Sequence, residues 1–339
     1  MSSDPPGKKE LRSKMLQMAT AKLVTKPLYV AAKLGIADLL AEGPRTVDAL
    51  AAITHTHAPS LQRLLRALAS VGVFAEDNDG MFCATTLSEL IRQREGSLHP
   101  LILWMNDPRH DHVWEALLAC IETGRPAPKA MLGMSIWEYL MRTPDLQQLF
   151  NEAMTANARV MHAAAIRAYD FSGIRRLVDV GGGQGALLCQ ILAAHTEIDG
   201  ILLERPETVP AAQAYIRQAG LAERCEVVGG DFFRDVPGGD AHIMSHVLHD
   251  WEDDQVLAIL SACYRSGTPG TRLLVVEMVI PAGNEPSFAK LVDMEMLVMV
   301  GGRERTAAEY EALFASAGYR LARILPGQGP ASVLEAVRL

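Results

Sequence analysis

Five short, continuously apolar runs in the second half of the chain restrict its fold more than any other feature. They are LVDV (residues 177–180), ILLE (201–204), CEVV (225–228), HIMS (242–245) and RLLVVE (272–277), and helical patterns separate them. A strand apolar along its whole length needs cover on both faces, whereas a strand with one wet face alternates. Such runs between helices predict a doubly wound α/β domain with a parallel sheet. The change of period comes at Arg176. A chain of 339 residues is expected to hold two domains, here a first over residues 1–100 and a second over 101–339. Residues 101–170 are expected to be a helical cap, rich in Trp and Met and interrupted at Pro108, residues 125–128 and Pro144.

Residues 14–95 read as helices with short loops. Leu61, Leu64, Leu65, Leu68 and Val71 form one apolar stripe at helical spacing, and Pro59 can start that helix. The segments VFAE (73–76) and MFCA (81–84) flank Asp77-Asn78-Asp79-Gly80, a turn that tolerates positive φ, and predict a hairpin. Helix, helix, hairpin is the layout of a winged helix. One use of it is duplex DNA binding, with Arg63 and Arg66 on the relevant helix. The other is dimerisation and substrate capping, favoured because those two arginines have no further cluster around them.

Charge and composition exclude several classes. Residues 1–100 carry 12 Lys/Arg against 10 Asp/Glu, and the remainder 20 against 30. The acidic larger part repels phosphate backbones, so nucleic acid is not an expected partner. Hydrophobic residues at 49% and charged residues at 21% rule out a disordered chain. No apolar run approaches the roughly 20 residues that span a bilayer, so no membrane association is expected. The first residues, MSSDPPGKKELRSK, lack the apolar stretch of a secretory signal. Five cysteines, odd in number and far apart, fit a reducing cytoplasm rather than a disulfide framework.

The chemistry concentrates at strand ends. Asp179-Val180-Gly181-Gly182-Gly183-Gln184-Gly185 joins the first strand to a helix, and its glycines permit a sharp turn and close approach of a ligand. Gly181, Gly183 and Ala186 also satisfy a variant dinucleotide fingerprint, so a nicotinamide (NAD) oxidoreductase competes. Glu204 ends the second strand, where an acid can accept both ribose hydroxyls. After the third strand comes Gly229-Gly230-Asp231-Phe232-Phe233, in which Asp231 can accept from an adenine amino group while Phe232 packs on its ring. After the fourth comes Ser245-His246-Val247-Leu248-His249-Asp250-Trp251, and Gly301-Gly302-Arg303-Glu304-Arg305-Thr306 opens a later helix.

VDVGGGQG, GGDFF, VLHDW, VVEMVIP and GGRERT stand in the order and spacing of a known family. The chain resembles, over nearly its whole length, the S-adenosylmethionine-dependent O-methyltransferases related to the plant caffeic acid enzymes. Its nearest branch is bacterial and acts on phenolic and polyketide natural products. The resemblance implies that His249 is the general base, with Glu277 and Glu304 flanking it. It implies that Asp179, Gly181, Gly183 and Glu204 meet the amino acid and ribose parts of S-adenosylmethionine, and that Asp231 and Phe232 hold its adenine. Met154 and Trp251 would pack nearby, and S-adenosylhomocysteine would be the product. Met105, Asn106, Met294 and Met299 are candidates to line the pocket of a small aromatic substrate. The first domain would make a homodimer. Plant members usually have Asp at position 204 and Lys at 245; Ser245 keeps a candidate cofactor contact without the charge. A second alternative to methyl transfer, after the oxidoreductase, is a DNA-binding regulator that senses S-adenosylmethionine.

A histidine base faces an energetic gap. A phenol titrates near ~10 and an imidazole near ~6.5, so ground-state proton transfer is uphill by about 5 kcal/mol. A neighbouring sulfonium, the two glutamates and exclusion of water can offset it. His55, His57, His110 and His112 are expected at the surface. His246 and His249 have no third ligand at matching spacing, and no metal is expected. The acidic run Asp250, Glu252, Asp253 and Asp254 reads as a helix N-terminus.

Overall fold

The computed structural model describes residues 8–167, 169–327 and 329–339, without the side chains of residue 8 and residues 158–166. The chain forms two compact units that divide between Asp111 and His112. The division falls later than residue 100 because the helix His99–Met105 belongs with the first unit: the His99 ring bonds the Ala32 carbonyl at 3.2 Å.

In the first unit the helix Ala58–Ala69 begins with Pro59 in its first turn and buries Leu61, Leu65 and Leu68. Leu64 is half-buried. Val71 lies beyond the helix end and is 44% exposed, so it is not part of the stripe. Strands β1 (Phe74–Glu76) and β2 (Phe82–Ala84) pair antiparallel as the hairpin. The Asp77 carboxylate accepts from the amides of Asp79 and Met81, and Gly80 has a φ of +76°. Arg66 forms a two-pronged pair with Glu76 of the hairpin at 3.0 Å, which neutralises one of the two cations a DNA-reading helix would need. His55 and His57 are exposed, but His110 is buried against the edge of Trp104, with ring centroids 5.3 Å apart.

In the second unit the five apolar runs become β3 (Arg176–Val180), β4 (Asp199–Glu204), β5 (Cys225–Gly229), β6 (Ala241–Ser245) and β7 (Arg272–Ile280). They are parallel, in the order β5-β4-β3-β6-β7. The short strand β8 (Arg305–Thr306) also pairs parallel to β7. The sheet is mixed at its far edge. There β10 (Ala331–Arg338) lies between β7 and β9 (Tyr319–Pro326), antiparallel to both. Two apolar cores cover the sheet, one centred on Leu177, Leu188, Ile191 and Leu202, the other on Val178, Met244, Leu260 and Tyr310. The prolines of the cap region open helices rather than interrupt them: Pro144 begins the helix Pro144–Arg167, and Pro128 lies in the first turn of Ala127–Leu132. No helix among the described residues is long and apolar enough to cross a membrane.

Candidate active site

Strands β3 and β6 are neighbours, but the chain leaves β3 for β4 on one side and β6 for β7 on the other. Their carboxyl ends mark a topological switch point, where open α/β sheets form a crevice. Both principal motifs lie there.

After β3 the backbone turns through Gly181, Gly183 and Gly185, with φ of +73°, +60° and +86°, into the helix Ala186–Ala194. A Cβ on Gly183 would meet nothing within 4 Å, so this residue presents open backbone. A Cβ on Gly182 would collide with the Asp179 carboxylate and Leu202. The middle glycine is thus the one packing demands, a requirement the motif alone did not reveal. Asp179 was expected among the cofactor contacts. Instead its side chain is fully buried beneath the turn, with neither oxygen hydrogen-bonded among the described residues. Burial, and then the charge of Glu204, push its carboxyl up to about 7. It supports the turn from below.

Glu204 is bound to the same turn from the side. One oxygen accepts from the Gly183 amide at 3.0 Å and the other from the Arg205 amide at 2.9 Å. Phe232 and Val247 stand over Gly181, where a Cβ would come within 3.3 and 3.1 Å of them. Phe232, Phe233 and Trp251 form an aromatic cluster, with centroids 4.9 Å apart for the two phenylalanines and 4.8 Å for Phe233 and Trp251. Open backbone, a fixed carboxylate and an aromatic wall around one turn fit an adenosyl group carrying an amino acid tail.

The other expected contacts are more peripheral. Asp231 is exposed and accepts from the Phe233 amide at 3.0 Å. Ser245 ends β6 with its hydroxyl 3.4 Å from the His246 ring. Met154 is half-buried on the helix Pro144–Arg167. Met105 and Asn106 close the helix His99–Met105 in the first unit, and the Asn106 side chain donates back to the Ile102 carbonyl at 3.1 Å. Met294, half-buried, and Met299, buried, lie on the helix Ala289–Met299. Glu295 of that helix accepts from the Trp114 indole at 2.7 Å.

The second motif builds an acid–base centre. His249 lies in the short turn Leu248–Asp250 after β6. Glu277, on β7, accepts through Oε1 from the amides of Val247 and Leu248 at 3.1 and 3.0 Å, fixing the turn. Its Oε2 is 3.4 Å from His249 Nδ1, while Glu304 Oε1 takes Nδ1 at 2.7 Å. With its Nδ1 proton directed to Glu304, the neutral ring carries its lone pair at Nε2. Asp250 Oδ1 is 3.6 Å from Nε2. Asp250 therefore belongs to the centre and is not a helix-start acid; that role falls to Asp253 and Asp254. Local charge pattern misled here because burial is set by tertiary packing.

Burial is the largest influence on His249 and favours the neutral ring. The charges of Glu277, Glu304 and Asp250 together outweigh it and raise the imidazole to about 10. Burial likewise pushes Glu277 upward, against the pull of His249, and Asp250 to about 6. The three carboxylates thus move the imidazole toward the range of a phenol and narrow the gap expected for an ordinary histidine.

The donor atoms of His249, Glu277 and Glu304 lie within 4.8 Å of one another, a set able to take a cation. The 2.7 Å contact between Nδ1 and Glu304 has the length of a charge-assisted hydrogen bond, with the proton where a cation would be. His246, with φ of +52°, presents its ring edge-on to His249 at 5.1 Å.

Two residues of the GGRERT segment have functions that sequence reasoning passed over. A Cβ on Gly302 would strike the His249 carbonyl and the Asp250 backbone, so only glycine lets these segments touch. Arg305, fully buried, donates to the carbonyls of Leu248 and Trp251 at 3.0 and 2.7 Å and to Asp253 at 2.9 Å. It fastens the turn that carries His249. A second arginine in a motif already assigned to Glu304 was the available signal.

Comparison with known proteins agrees with this geometry. Residues 114–320 match a family model described as an O-methyltransferase domain, and residues 16–94 one described as an O-methyltransferase dimerisation domain. The chain is 42% identical to a phenazine O-methyltransferase, PhzM, of Lysobacter antibioticus, over 96% of each chain. It superposes on the crystal structure of LaPhzM with a TM-score of 0.93 at 42% identity, covering 97% of this chain and 99% of that one. For the O-methyltransferase NcsB1 from neocarzinostatin biosynthesis, solved with S-adenosylmethionine and 2-hydroxy-5-methyl naphthoic acid, the TM-score is 0.78. Identity there is 34%, covering 93% of this chain and 96% of that one. Neither the oxidoreductase nor the DNA-binding alternative finds support among these matches. The chain belongs to the family of S-adenosylmethionine-dependent O-methyltransferases.

Proposed function

We propose that the protein methylates a hydroxyl of a small aromatic, phenolic or polyketide-like metabolite, with His249 as general base. The observation that carries this reading is the 2.7 Å contact of Glu304 with His249 Nδ1, which frees Nε2 to take the acceptor proton. When bound, S-adenosylmethionine supplies an electrophilic methyl group and leaves as S-adenosylhomocysteine. Gly181 and Gly183 admit its amino acid end, Glu204 accepts from its ribose, and Phe232 with Trp251 packs against its adenine beside Asp231. Met154 and Ser245 complete the rim. Glu277 and Glu304 hold the imidazole and stabilise it once it carries the proton, and Asp250 meets the protonated Nε2. Met294 and Met299 line the acceptor pocket.

The relatives' names support an aromatic acceptor: a phenazine in one, a hydroxynaphthoic acid bound in another. We further infer that residues 1–100 serve dimerisation, that the protein is a homodimer, and that the helices of residues 101–170 cap the substrate. The match to a dimerisation domain supports the first two. Five free cysteines support a cytoplasmic location.

The test is incubation with methyl-labelled S-adenosylmethionine and a panel of phenols, hydroxynaphthoates and hydroxyphenazines. Label on an oxygen of at least one acceptor, lost in His249→Gln, is the expected result. Label on carbon or nitrogen alone, or an unimpaired His249→Gln, refutes the proposal.

A further inference from the structure

Three buried polar atoms around the acid–base centre are left without a hydrogen bond among the described residues: Glu277 Oε2, Glu304 Oε2 and the Tyr310 hydroxyl. Native interiors rarely leave such groups unsatisfied, and three together point to a shared arrangement. The chain brings the two carboxylates together and starts the helix of Tyr310 directly after them. Parallel pairing of Val279 with Arg305 sets Glu277 and Glu304 beside each other. The helix Ala307–Ser316 then starts at once, fixed by a reciprocal cap between Thr306 and Glu309, and carries Tyr310 in its first turn. Tyr310 is fully buried in the core of that sheet face, its ring centroid 6.0 Å from that of Phe314. Burial first, then the charges of Glu277 and Glu304, hold its hydroxyl well above the usual range, with Arg305 opposing. The phenol therefore stays protonated and remains a donor within electrostatic reach of both carboxylates.

We propose that Tyr310 is a positioning residue for the base, donating to one trapped water that in turn donates one hydrogen to Glu277 Oε2 and one to Glu304 Oε2. One water has the single acceptor and two donors needed to satisfy all three atoms. The bridge keeps both carboxylates directed at His249 Nδ1, so it sustains the basicity of Nε2. This deepens the proposed function and rests on His249 being the base.

Tyr310→Phe keeps the ring and removes only the donor. Without it the carboxylates are held less firmly against Nδ1 and His249 becomes a weaker base. The expected result with a neutral phenol is a roughly three- to tenfold lower plateau kcat. KM and S-adenosylhomocysteine affinity stay unchanged, and the pH at which kcat rises moves downward. Unchanged affinity also reports an intact fold. A Tyr310→Phe protein with wild-type kcat and wild-type pH profile overturns the proposal, and a gain in Tm with no kinetic change does the same, since an idle buried hydroxyl gives that result. His249→Gln, run in parallel, separates the two layers. If it keeps the wild-type rate, the base assignment fails; if it loses the rate while Tyr310→Phe changes nothing, only the role of Tyr310 fails.

Discussion

Two carboxylates meet the same glycine turn and their surroundings give them different work. Glu204 has an amide on each oxygen and offers its remaining acceptor capacity at the edge of the crevice. Asp179 is sealed beneath Gly182 and its carboxyl is raised to about 7. Because the folded value lies above the unfolded one, ionisation of Asp179 opposes folding. That cost is absent below about pH 4, grows as pH rises, and levels off above about 7. Asp179→Asn should therefore raise Tm relative to wild type more at pH 8 than at pH 4, by up to a few kcal/mol of stability. An equal effect at both pH values would show that the charge is irrelevant. At Gly302 the constraint is steric, since even a methyl group collides with the backbone of His249. Gly302→Ala should cost on the order of 2 kcal/mol or more and most of the activity; a near-normal kcat would contradict the contact.

The turn between β6 and the helix Asp253–Ser266 carries His249, and neighbouring elements hold it by its backbone. Glu277 accepts its amides and Arg305 donates to its carbonyls. Arg305→Met should destabilise the protein by roughly 2–3 kcal/mol, because hydrogen bonds to a charged donor are lost and buried carbonyls are left bare. It should lower kcat more than cofactor affinity, which thermal denaturation and calorimetry would separate. Four of the parallel strands were legible because burial on both faces makes each a nearly continuous apolar run; the edge strand β5, with Glu226 exposed, was legible from its place between helical patterns. Strands β9 and β10 were not, because β9 is mostly exposed or half-buried with no regular period, and the insertion of β10 beside β7 is a long-range pairing that no local pattern encodes. His249, Glu277 and Glu304 were legible through motif spacing. Asp250 was hidden in an acidic run, and Gly302, Arg305 and Tyr310 matter through packing across elements far apart in sequence.

In the first unit, helices Lys8–Ala19 and Lys22–Lys33 expose Leu11, Met15, Leu16 and Leu23, each more than 60% accessible. A row of this kind on a chain with a matching dimerisation domain is the face a second copy would cover. Replacing Leu11, Met15 and Leu16 together with Ser should shift the protein from dimer to monomer in light scattering, without unfolding the methyltransferase unit; a wild-type mass would place the interface elsewhere. These elements converge on one property of the whole molecule, a buried imidazole held by three carboxylates and raised in basicity. The most direct test compares His249→Gln with wild type on two acceptors, a phenol that titrates near ~10 and one acidified by electron-withdrawing groups to near ~7. The account predicts a loss of about 10²–10⁴-fold on the first and a much smaller loss on the second, already ionised at the assay pH. Equal losses on both, or a His249→Gln enzyme that keeps most of its rate on the neutral phenol, would contradict it.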